Sequence, residues 1–297
     1  MSASATAARA PRRAPVPRKR ALWRDPSGAF SPLKTTALLL LTVPGLSTAV
    51  GLATNTLGGR PITEAIHETG HWAVRLLLIT LAVTPVRTIF DWPRVVLLRR
   101  MLGVAVACYA GAHLLLYCVD QKWRLGVVAS EIALRNYLTI GFVTLLGLLA
   151  LAATSTDGAM RRMGTRWKVL HRLIFALTAL ALVHYYLQSK ANVAAAVLVS
   201  GLYVWELLWR AAPKPARGTL RLLAVLAVAA ALATACMEAA WYGSTTRINP
   251  ARVLAANLDL TYPTVAIDVL LIGAAALLAA AVRKVRWRRR GTDSAMA

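Results

Sequence analysis

The sequence predicts an all-α, polytopic membrane bundle, with a six-helix core and two additional carboxy-terminal transmembrane helices. Three observations predict it. Of 297 residues, 58% are hydrophobic and 16% charged, and the mean hydropathy is +0.56, values that exclude a disordered chain and argue against an ordinary soluble domain. Eight apolar runs recur, each near the roughly 18 or more residues that a bilayer core of about 30 Å demands of a helix. The 35 Lys and Arg, set against 12 Asp and Glu, lie between these runs. Basic charge therefore reports topology and not a nucleic-acid surface. Cys108, Cys118 and Cys236 all fall within apolar runs and lack CxxC spacing, so they make no disulfide framework.

Residues 1–32 read as a disordered basic cytoplasmic arm: Met1 to Lys34 carries eight basic residues, one acid, Asp25, and interspersed prolines. The apolar run at 33–54 is long enough to span, lies too far from the start for a signal peptide, and forms the first helix. Further spans are predicted at 71–88, 101–119, 138–155, 171–188, 191–209, 221–242 and 264–283. The two tails and the loops at 87–100, 156–170 and 209–221 hold 26 Lys and Arg, whereas the alternate loops hold 7. That asymmetry puts both termini in the cytoplasm. A Pro-rich basic linker, 211–220, separates the core, 33–210, from the closing pair, 221–283, and a basic cytoplasmic tail follows at 284–297. No internal repeat is visible, so an inverted-repeat transporter has no support. Small residues such as Gly103, Ala107 and Gly111 let helices approach closely.

Ionisable side chains inside spans are costly and therefore functional candidates. His113 lies deep in the third span and His184 deep in the fifth. Each sits 13 residues from the inner end of its span, at Arg100 and His171, or about 20 Å at 1.5 Å per residue. This matched depth suits two axial imidazoles on one b-type haem. The alternative is a pair of core histidines bonded to helix carbonyls. His171 opens the fifth span at the cytoplasmic end, as a candidate for a second redox group. It stands roughly 140° around an ideal helix from His184, and no histidine at the inner end of the third span partners it. Interfacial snorkelling or contact with a cofactor's polar edge fits it equally well.

His67-Glu68-Thr69-Gly70-His71 is an HExxH string leading into the second span. On a helix it sets two His on one face for zinc with Glu as general base, as in intramembrane metalloproteases. The string Asn257-Leu258-Asp259-Leu260 lacks the Pro and Gly that such a protease's third ligand would bring, and both segments fall at the outer side. Arg87, Arg99, Arg100, Arg161, Arg162, Arg166 and Lys168 read as topology anchors, with docking of an acidic cytosolic partner as their second reading. Trp72, Trp92, Trp123, Trp167, Trp241 and Trp287 suit an aromatic belt. Glu206, Glu238 and Asp268 lie within the last three spans, where a proton path and an intrahelical hydrogen bond are both open.

From about Ile66 to Lys190 the chain resembles the MsrQ (YedZ) family, haem-binding membrane subunits of a protein-methionine-sulfoxide reductase system. The strings that carry the resemblance are His67 with Thr69-Gly70, Thr80 to Pro85 with Arg87, Arg99 to Gly103, and Tyr109-Ala110 with His113, Tyr117 and Asp120. They continue with Arg135 to Gly141, Leu151 to Ser155, Gly164 to Trp167 with Leu170 to Leu173, and His184-Tyr185 with Lys190. The resemblance implies a ferric-reductase-like core of six helices. It implies that His113 and His184 ligate haem iron, and that His171 is a third functional histidine, the candidate ligand of a second haem. It further implies haem b, one or two per chain, and FMN.

Electrons would then pass from a cytoplasmic flavin reductase or a quinone, through the bacterial inner membrane, to the periplasmic molybdopterin reductase MsrP, which repairs oxidised methionine. The chain would be an electron-transfer subunit and not itself the catalytic centre. A zinc protease built on His67, Glu68 and His71, and haem electron transfer to another acceptor, are the alternatives. The pair at 221–283 extends beyond the family's six helices.

Overall fold

The computed structural model describes residues 23–24, 28–189, 192–259 and 261–295. Most of the expected arm over 1–32, and Lys190, lie outside the described residues. Among the described residues eleven α-helices run α1 (Pro32–Ala53), α2 (Pro61–Ile89), α3 (Arg99–Asp120), α4 (Leu125–Leu134), α5 (Asn136–Ala153) and α6 (Asp157–Met163). They continue with α7 (Thr165–Ser189), α8 (Ala194–Ala211), α9 (Leu220–Thr245), α10 (Pro250–Leu258) and α11 (Val265–Ala295). Among the described residues eight helices are long and apolar enough to cross a membrane, which makes this a polytopic helical membrane protein. The loops at 90–98, 154–164 and 212–219 share one end of the bundle, here the basic face; those at 54–60, 121–135 and 246–264 share the far face.

Two helices begin earlier than hydropathy predicts. α2 starts at Pro61, ten residues before the expected 71, and α7 at Thr165, six before 171. Glu64, His67, Glu68 and Arg166, Lys168 depress the local hydropathy, but backbone hydrogen bonding continues through them. Pro61 occupies the first helical turn, where its missing N–H costs nothing.

The bundle turns large apolar side chains outward as well as inward. Leu39, Leu40 and Leu46 of α1 and Leu271 and Leu278 of α11 are exposed, as lipid-facing surfaces are, while Leu77, Val106 and Val197 are sealed inside. Interior threonines on five of the helices return their hydroxyls to the carbonyl four residues back: Thr48 to Pro44, Thr80 to Leu76, Thr144 to Ile140, Thr178 to Ile174 and Thr234 to Ala230. These five hydroxyls are thereby paired within their own helices and not left bare in hydrocarbon.

Two prolines interrupt the helical ladder, and each interruption is repaired from a neighbouring helix. Beside Pro44, the Tyr109 hydroxyl accepts from Gly45 N–H and donates to Leu41 C=O, both at 2.8 Å. Those are the two groups an unbroken helix would pair with each other. Pro85 has no N–H for the Leu81 carbonyl, and Arg210 Nη2 on α8 fills that vacancy at 2.6 Å. Arg210 is itself paired with the buried Glu206 at 3.3 Å and lies over the Phe175 ring. α9 and α11 pack on α8, and Ile89, Trp209, Leu223, Leu226 and Ala280 close a small apolar cluster at the basic end.

Candidate functional site

The four helices α2, α3, α5 and α7 enclose a cavity of about 440 Å³ that opens toward the far face. Four of the five histidines line it: His67, His71, His113 and His184. His113 and His184 meet across it with ring centres 6.2 Å apart and planes at 88°.

Each of these two rings is held by a hydrogen bond to the backbone of the neighbouring helix. His113 Nδ1 lies 2.8 Å from Ile66 O, and His184 Nδ1 lies 2.7 Å from Tyr137 O. A carbonyl only accepts, so Nδ1 carries the proton in both rings and Nε2 keeps its lone pair. This is how a metal-ligating imidazole is oriented, its second nitrogen spent on a carbonyl. It also unites the two readings of the sequence, since a histidine bonded to a helix carbonyl is here one with its other nitrogen free. A metal–imidazole bond of about 2 Å on each side, plus about 1 Å from nitrogen to ring centre, sets two axial rings roughly 6 Å apart. The observed 6.2 Å matches that span.

The rings come this close to the backbone because each faces a glycine. A methyl group at Gly70 would lie 3.0 Å from His113 Nδ1, and one at Gly141 would lie 2.7 Å from the His184 ring. The two half-sites are copies: His184, Gly141 and Tyr137 each lie 71 positions after His113, Gly70 and Ile66. Val74 with Leu145, Leu77 with Leu148 and Ala110 with Ala181 line the cavity in the same pairing. The hairpin α2–α3 and the pair α5–α7 therefore present equivalent positions to one centre. The pairing is not visible as a sequence repeat, because what recurs is a Gly-to-His spacing of 43 residues and the contact it makes, with few shared identities.

His171 is brought to neither partner. It lies about 20 Å along α7 from His184, toward the basic face. Its ring stacks on Trp167 at 3.9 Å, Nδ1 bonds Trp167 O at 3.1 Å and Nε2 bonds the Ser155 hydroxyl at 3.3 Å. The position 71 residues before it is Arg100, which pairs with Asp157 at 2.6 Å.

The HExxH string belongs to the same cavity. His67 and His71 sit one turn apart with stacked rings 6.4 Å between centres, His71 meets Tyr185 at 5.1 Å, and Glu64 approaches His67 to 4.0 Å. Asp259 is occupied elsewhere: it accepts from the backbone N–H and hydroxyl of Thr261, which hold its carboxyl below the usual range. Among the described residues no three His, Cys, Asp or Glu gather as a metal site, so the zinc reading lacks its third ligand. Glu206 is tied to Arg210, and Glu238 accepts from Asn257 at 2.8 Å. Both acids thus have interhelical or intrahelical partners.

The family described as ferric reductase like transmembrane component matches residues 69–183, a stretch that contains both cavity-facing glycines and His113. The chain is 41% identical over 155 residues to the protein-methionine-sulfoxide reductase heme-binding subunit MsrQ of Xanthomonas campestris pv. campestris, covering 52% of this chain and 71% of that one. It is 38% identical over 158 residues to the MsrQ of Azospira oryzae, covering 52% and 68%. No solved structure matches the chain. The chain is thus a ferric-reductase-like transmembrane protein, and within that class it belongs to the MsrQ family.

Proposed function

We propose that the chain is a haem b electron-transfer subunit of the inner membrane, with His113 and His184 as the axial ligands of a single haem. The observation that carries this reading is the pair of imidazoles 6.2 Å apart, each with Nδ1 committed to a carbonyl. When bound, the haem supplies one-electron chemistry between ferric and ferrous iron. His113 and His184 would hold the group from both sides, Leu77, Leu148 and Ala181 would give it an apolar surround, and two protein ligands would leave no position for substrate. Electron transfer, and not turnover, follows from that closure.

The basic face is proposed to lie in the cytoplasm, with both termini. Electrons would arrive there from a cytoplasmic flavin reductase, with FMN as carrier, or from a quinone. They would leave at the periplasmic far face to a molybdopterin methionine sulfoxide reductase such as MsrP. Residues 33–210 form the haem-binding core in this reading, and 221–283 the additional pair. His171 serves the basic end as a hydrogen-bonded residue beside Trp167, and Arg100 in the equivalent position removes the partner that a second haem would need.

A dithionite-reduced minus air-oxidised spectrum of the detergent-purified chain, with iron and zinc measured on the same sample, tests this. One b-type haem per chain is expected. Stoichiometric zinc without haem would overturn the assignment.

A further inference from the structure

The two halves of the cavity agree in character at Val74/Leu145, Leu77/Leu148 and Ala110/Ala181 and differ at other paired positions. Applying the 71-residue spacing, His67 on α2 corresponds to Leu138 on α5, and His71 corresponds to Phe142. At these two positions of α2 the cavity carries two imidazoles where α5 carries two hydrocarbons, while on the facing helices Leu114 and Tyr117 of α3 correspond to Tyr185 and Gln188 of α7. A macrocycle gripped between His113 and His184 is uneven in the same way, with two carboxylate tails on one edge and hydrocarbon substituents elsewhere. Buried carboxylates require charge-assisted hydrogen-bond donors, and hydrocarbons favour Leu and Phe.

We infer that His67 and His71 form the subsite for the two carboxylate tails of the haem, and that Leu138 and Phe142 receive its hydrocarbon edge. The inference rests on the haem reading above and adds the orientation of the group within the cavity. Both imidazoles stand on the stripe of α2 next to Gly70, one and five residues beyond Ile66, whose carbonyl holds His113. His71 packs against the Tyr185 ring at 5.1 Å, and His67 lies 4.0 Å from Glu64, beyond hydrogen-bond distance, which leaves the nitrogens of His67 free to donate to a tail. The HExxH string thus finds a use that needs no zinc: its two histidines, one turn apart on one helix face, serve two carboxylates.

The test uses the full chain in detergent, loaded with haem or with haem whose tails are esterified, and follows loss of haem to excess apomyoglobin. For the unaltered chain, esterification should speed loss at least about tenfold, the worth of a charge-assisted hydrogen bond. His67→Ala/His71→Ala should lose ordinary haem about that much faster, with the bis-imidazole spectrum retained, and should be indifferent to esterification. His67→Gln/His71→Gln, which keeps donors at both positions, should recover part of the retention and guards against a folding defect in the alanine pair. Equal loss rates for the two haems in the unaltered chain would overturn the inference while leaving the haem assignment standing. An unaltered chain that holds no haem at all would overturn both.

Discussion

Arg210 donates to the carbonyl of Leu81 at 2.6 Å, the group that Pro85 leaves without its helical partner. One guanidinium thereby repairs α2, pairs with Glu206 and ties α8 to the helix that carries the Gly70 half of the site. Removing it strands two groups at once. Arg210→Met should destabilise the bundle by about 3–5 kcal/mol, as breaking one side of a buried pair does. Arg210→Met combined with Glu206→Leu should recover much of that loss. Thermal unfolding of the three variants in detergent checks the ordering.

Replacing either axial candidate, His113→Ala or His184→Ala, should abolish the haem spectrum. His171→Phe should keep one haem per chain, because both nitrogens of that ring are spent on Trp167 and Ser155. Pyridine haemochrome content of the three purified variants decides between one haem and two.

Glycine to alanine within a helix ordinarily stabilises it by about 1 kcal/mol. At Gly141 the sign should reverse for haem binding, since the new methyl lies 2.7 Å from the His184 ring and must push it from its carbonyl. Gly70→Ala, at 3.0 Å from His113 Nδ1, should do the same more mildly. Haem occupancy should fall in the order unaltered, Gly70→Ala, Gly141→Ala, while helix content by circular dichroism holds.

Tyr109→Phe removes the hydroxyl that bridges Gly45 and Leu41 in α1. A cost of about 1 kcal/mol is expected, with looser docking of α1 on α3. Accelerated amide exchange confined to the residues around Pro44 would register it; unchanged exchange there would count against the bridge.

Much of this architecture was legible without coordinates, for identifiable physical reasons. A bilayer imposes a length on each helix, so eight apolar runs became eight spans. The equal depth of His113 and His184 follows from the constant rise of a helix, and the rings do meet. What stayed hidden depends on contacts between helices. Polar residues at the start of α2 read as a loop because hydropathy scores side chains and not backbone hydrogen bonding, and cannot tell that His67 and His71 face a cavity between helices. The glycines at 70 and 141 gave no local signal, since their role is the space they leave for a ring on another helix. A shared Gly-to-His spacing of 43 was present in the letters, but it acquires meaning only once α2 is seen beside α3 and α5 beside α7.

The paired half-sites make the cavity, in effect, an intramolecular dimer of two unlike halves. A residue's counterpart, 71 positions away, serves as its built-in control. Substituting both members of a pair asks what the shared geometry requires; substituting one asks what the difference between the halves adds. Transplanting His67 and His71 onto 138 and 142, with Leu and Phe in exchange, would turn the bound group about the His113–His184 axis and leave its iron where it was.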